Sequence, residues 1–114
     1  MKITIHSRKN LNEARETKRD IYEVFYNMKI KNDANFEQIK TDIRAIKGVA
    51  IVSTVPKSKK EFSTYQKIVY RIKFVPYKTS IKDFLHNLEL SFRQLQQYGM
   101  MSFARSAAPQ KMEK

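Results

Sequence analysis

At 114 residues, with a net charge of +12 and no cysteine, the chain has the size of one domain with a single modest core, and disulfides and thiolate metal sites are excluded. No run approaches the roughly 18–20 consecutive apolar residues of a membrane span. The opening MKITIHSRKN lacks the apolar stretch of a secretory signal, so the expected setting is cytoplasmic and reducing, with later incorporation into a virion left open.

Residues 1–20 carry six Lys/Arg against three acids, and within 7–20 only Leu11 and Ala14 suggest an apolar helical face. They read as a charged arm or helix outside the core. IYEVFYNMKI, 21–30, alternates Tyr22, Val24, Tyr26, Met28 and Ile30 with Glu23, Phe25, Asn27 and Lys29, which predicts a strand with the first set buried. In NDANFEQIKTDIRAIKG, Asp33 or Asn35 can cap a helix, with Gln38 placed as in a capping box. Phe36, Ile39, Ile43 and Ile46 share one helical face, and Gly48 supplies a left-handed stop. VAIVSTV, 49–55, is a short β-branched strand that Pro56 is expected to close, with 57–63 as the connection. Over 64–75, Ile68, Tyr70, Ile72 and Phe74 take one face and Lys67, Val69, Arg71 and Lys73 the other; a one-residue slip would bury the charges, so this register is firm. Ser80 and Asp83 open a second helix with the stripe Ile81, Phe84, Leu85, Leu88, Phe92 and Leu95. Gly99 ends that region, MMSFARS makes a final strand, and 106–114 is expected to be a flexible polar tail.

The order strand, helix, strand, strand, helix, strand, with a helix–glycine–strand unit in each half, predicts an α+β, ferredoxin-like sandwich over residues 21–105. Its four-stranded antiparallel sheet carries both helices on one face. Charge is uneven along it. Residues 56–80 carry seven Lys/Arg against one acid, half of the whole excess. On the face away from the helices, Lys67, Arg71 and Lys73 stand beside a loop with Lys57, Lys59 and Lys60, a set able to contact phosphates without reading sequence. The same lysines also suit a solvated edge that discourages strand-to-strand aggregation. Base stacking as in RNA-recognition sheets is not expected, because IVYRIKFV lacks the glycine of that motif and only Phe25 is read as an open-face aromatic. Phe25 and the arm residues Arg8, Lys9, Arg15, Lys18 and Arg19 are candidates for binding a partner.

His6 and His86 are the only histidines, and His86 at three residues from Asp83 reads as a surface contact rather than a metal site. Without HExxH, a Walker loop or a glycine-rich cradle, no enzyme, metal or cofactor is expected.

At IRAIKGVAIV and YRIKFVPY the chain resembles small ferredoxin-like proteins encoded by tailed bacteriophages of aquatic bacteria, over about residues 8–105. The resemblance implies a viral, non-enzymatic setting. The leading expectation is therefore a phage-type structural or assembly protein that packs on itself or on a protein partner. The alternatives are a sequence-nonspecific nucleic-acid binder, and a ligand-sensing domain holding a small molecule at the Gly48 turn and a dimer interface. Of the partners, a small-molecule ligand is the least expected.

Overall fold

The computed structural model describes residues 20–58 and 63–112. Strand β1 (Tyr22–Lys31) leads to helix α1 (Phe36–Arg44), then to strands β2 (Val49–Ser58) and β3 (Tyr65–Phe74) and helix α2 (Ile81–Gln94). A 3-10 turn (Leu95–Tyr98), strand β4 (Met100–Arg105) and a two-residue strand β5 (Gln110–Lys111) complete the fold. The sheet is antiparallel in the order β2-β3-β1-β4, with β5 also on β1. This is the ferredoxin-like α+β arrangement expected from the sequence.

Alternation sets the faces. Val24, Tyr26, Met28 and Ile30 of β1 and Ile68, Tyr70, Ile72 and Phe74 of β3 are buried under the helices, against Ile39 and Ile43 of α1 and Phe84, Leu85, Leu88 and Phe92 of α2. Aromatic rings tie the layers together: Phe74 stacks on Phe84 with centroids 4.4 Å apart, and Tyr26 meets Phe92 edge-on at 4.9 Å. The helix starts follow the capping pattern. The Asn35 side chain accepts from the Gln38 amide, and that of Ser80 from the Asp83 amide, each at 3.1 Å. Asn35 rather than Asp33 is the cap, and the Gln38 side chain bonds Asp42 at 2.6 Å instead of returning to it.

Two expectations at element ends are corrected. Strand β2 does not stop before Pro56 but runs on to Ser58, with a register shift between the two. It is the sheet edge, where a residue without an N–H is tolerated. Residues 106–112 are not a loose polar tail. Gln110 and Lys111 pair with Glu23 and Tyr22, the Met112 amide donates to the Ile21 carbonyl at 2.7 Å, and Met112 packs with Ile21, Val75 and Tyr77 in a second apolar cluster. The backbone pairing with β1 and the Met112 contact act together against the entropy of ordering this polar segment. The arm at residues 1–19 lies outside the described residues.

Candidate functional site

The face of the sheet away from the helices is ordered by strand register into cross-strand rows. One row holds Glu23, Lys73 and Ile51; the next holds Phe25, Arg71 and Ser53. A third holds Ala104, Asn27, Val69 and Val55, and the fourth Ser102, Lys29 and Lys67. The predicted phosphate-binding set is divided by this arrangement. Arg71 Nε sits 2.5 Å from Glu23 Oε2, and Lys73 stands directly across from the same glutamate, so the Arg71–Lys73 end of the basic stripe has an acid in it. Lys67 is exposed at the far end. Lys57 belongs to β2 by its backbone, while Lys59 and Lys60 lie outside the described residues, as do Arg8, Lys9, Arg15, Lys18 and Arg19. Phe25 is on the open face as expected, 38% exposed, but it is not the sole aromatic there. Tyr65 shares that face, with Lys29 Nζ 4.0 Å above its ring. Strand parity carried this signal, since Tyr65 is odd-numbered like Lys67 on the same strand.

The Gly48 turn is not open to a ligand. Its φ of +95° is left-handed, and a Cβ there would lie 2.6 Å from Phe84 Cε2 and 2.6 Å from the Val75 carbonyl oxygen. The room lies one step away. The Val75 amide donates to the Gly48 carbonyl at 2.8 Å, and the chain then turns through Pro76–Ser80 into α2, bordering an open hollow of about 500 Å³ beside Tyr22 and Asp20 of the sheet end. Tyr22 (stacked on Phe74, centroids 5.8 Å apart), Val75 and Ile81 give it apolar walls. Lys78, Thr79 and Ser80 give it a polar rim just before the first turn of α2, where a helix presents amide N–H groups and partial positive charge. The turn itself is tightly held: the Thr79 hydroxyl and amide both donate to the Pro76 carbonyl, at 2.6 and 3.1 Å. Tyr77 takes a left-handed φ of 55°, an uncommon state for a bulky residue, and its ring lies 5.8 Å from Lys47 Nζ. Asp20, on the opposite rim, pairs with Lys111 at 3.3 Å.

Two smaller hollows compare with it. One of about 260 Å³ lies between α1 and α2 over Ile43, Phe92 and Leu95; it is below the usual size of ligand pockets, and its polar rim is occupied. Gln38 bonds Asp42 there, and the Ser91 hydroxyl donates to the Asn87 carbonyl. The other, of about 350 Å³, is on the open face beside Asn27, Lys29, Lys67 and Ser102. Buried polar chemistry on the helix side is structural. The Tyr26 hydroxyl donates to Glu89 Oε2 at 2.6 Å, and Arg105 Nη2 meets the same oxygen at 3.1 Å, fastening α2 to β1 and β4. Burial, and then the Glu89 carboxylate, push the Tyr26 phenol well above its ordinary range. Among the described residues there is no cluster of three or more His, Cys, Asp or Glu able to hold a metal, and no helix long and apolar enough to cross a membrane.

No family model and no curated protein matches the chain. A solved structure from Bacillus cereus, provisionally named as an antibiotic biosynthesis monooxygenase, is similar at 13% identity and a TM-score of 0.38, over 83% of this chain and 95% of that one. The expectation of a phage-type assembly component is withdrawn, since neither this neighbour nor the family and curated comparisons tie the chain to a phage or a virion. At that similarity its name assigns no activity here.

Proposed function

We propose that this domain binds a small molecule in the hollow between the sheet end and the first turn of α2, as a ligand-binding rather than a catalytic module. One observation carries the reading: a space of about 500 Å³, within the range of ligand pockets, walled by Tyr22, Val75 and Ile81 and rimmed by Lys78, Thr79 and Ser80. The chemistry it fits is an apolar body with an anionic or carbonyl head. The body lies on the Tyr22 ring and Ile81; the head faces the α2 amides and Lys78. Binding suits this site better than catalysis, because its hydroxyls already have structural work. The Thr79 hydroxyl closes the turn and the Ser80 oxygen caps the helix, and neither stands beside a positioned base among the described residues.

An NMR titration of the whole chain with aromatic carboxylates, benzoate first, tests this. Shifts should converge on Tyr22, Val75 and residues 78–81. Lys78→Glu reverses an exposed charge at the rim and should weaken binding by about tenfold while leaving the melting temperature in place. Shifts that gather elsewhere, or an unchanged affinity in that variant, would sink the proposal.

A further inference from the structure

We infer that the open sheet face carries a second, separate site for the phosphate group of a small molecule, formed by Lys29 and Lys67 with Ser102 and Asn27. Register brings the two lysines together. Lys29 on β1 is the direct cross-strand partner of Lys67 on β3, and Ser102 on β4 flanks Lys29 from the other side. Like charges placed directly opposite one another on a sheet repel and destabilise the pairing. A strand pair selected for stability alone would place an acid across from a lysine, as this sheet does one end away, where Glu23 faces Lys73 and bonds Arg71.

No carboxylate among the described residues forms an ion pair with either lysine; Lys29 leans instead on the Tyr65 ring, 4.0 Å from its centroid. That contact leaves its positive charge uncompensated and fixes where the ammonium stands. The row also borders a hollow of about 350 Å³, whose remaining lining includes Asn27 and Ala104. The Asn27 side-chain amide donates to the Ser106 hydroxyl at 2.7 Å, which anchors that side chain at the floor of the hollow.

Two ammonium groups match the charge of a phosphate monoester, about −1.5 to −2 near neutral pH, better than that of a single carboxylate. The ligand is small rather than a polymer, because a nucleic-acid backbone needs a continued track of cations and this one is interrupted. Glu23 takes up Arg71 and faces Lys73, whereas the Lys29–Lys67 row has no acid in it among the described residues. This inference does not depend on the sheet-end hollow, from which the row is separated by the length of β1.

The test is a titration of the full chain with inorganic phosphate and with phenyl phosphate, followed by amide NMR and calorimetry. Both probes should shift residues 27–29, 67 and 102, and inorganic phosphate, which has no apolar body, should leave 78–81 unmoved. Lys67→Gln should weaken binding about tenfold or more, as expected for loss of a charge-assisted contact. Lys73→Gln removes the same charge from the same face three rows away and should change affinity by less than about twofold, screening being strong at that separation. In the absence of phosphate, Lys67→Gln should raise the melting temperature, which a lysine with a merely structural role would not do. Absence of saturable binding overturns the inference. So does an equal loss in the Lys67 and Lys73 variants, which marks general electrostatic attraction. Binding of a DNA duplex without binding of either small phosphate overturns it in favour of a nucleic-acid surface.

Discussion

At Gly48 a hydrogen atom stands where any other residue would place a carbon 2.6 Å from both the Phe84 ring and the Val75 carbonyl. The ring belongs to a stacked pair with Phe74 and cannot retreat without opening the core, and the carbonyl is backbone. Gly48→Ala therefore combines a left-handed backbone cost with overpacking, and a loss of about 2–4 kcal/mol in urea denaturation is expected. A loss under about 0.5 kcal/mol would show that α2 can slide away from the turn. Two buried phenols set a second residue-scale expectation. Burial, and then the Glu37 carboxylate, push Tyr70 up to about 12, and Tyr26 is raised by its burial and by Glu89. Both groups hold their protons in the folded state where an unfolded tyrosine, near 10, has lost its own. The stability they contribute is whole below pH 10 and is lost as pH rises through about 12 for Tyr70, because unfolding then releases protons. Tyrosinate absorbance should show these two of the six tyrosines ionising only as the fold gives way. All six ionising together near pH 10 in a folded protein would contradict it.

Helix α2 is held by its buried stripe more than by its ends. Leu88 is fully buried, so Leu88→Ala should cost about 2–5 kcal/mol, whereas Ser80→Ala, which removes one cap bond, should cost about 1 kcal/mol. A cap loss equal to the core loss in the same denaturation series would mean that the stripe is poorly packed. These elements were legible because their periods are long: five alternations in β1, four in β3, and a stripe of six along α2 and the turn after it. Strand β5 was not, because two residues offer no period, and its order comes from Met112 reaching a cluster assembled from distant parts of the chain. Strand β2 was cut short at Pro56 because its place at the sheet edge is a property of topology and not of the local sequence. The two candidate sites were only half legible. Parity placed Lys29, Tyr65 and Lys67 on one face. The pairing of Lys29 with Lys67 depends on a register between strands separated by α1 and β2, which no short turn fixes. The sheet-end hollow depends on the left-handed Tyr77, a conformation that its residue type does not announce.

For the molecule as a whole, the excess of 23 basic over 11 acidic side chains sets the sign of its response to salt. Three ion pairs stand among the described residues, Glu23–Arg71, Glu89–Arg105 and Asp20–Lys111, and in each the basic partner is well exposed, so their combined contribution is small. Self-repulsion across a surface this small outweighs them, and salt screens it over about 10 Å at 0.1 M. Added sodium chloride should therefore stabilise the fold: between roughly 10 and 200 mM the melting temperature should rise by about 2–5 °C, the scale of half to one kcal/mol for a domain of this length. The single variants Lys67→Gln and Lys73→Gln remove equal charge and should flatten this chloride response to a similar, small degree. Sodium phosphate at matched ionic strength separates local from global effects, because a bound ion stabilises the folded state by mass action on top of screening. The wild type and Lys73→Gln should gain further from phosphate than from chloride, and Lys67→Gln should not. A melting temperature that falls with chloride would reverse the ranking, with attraction within the three pairs outweighing the repulsion of the net charge.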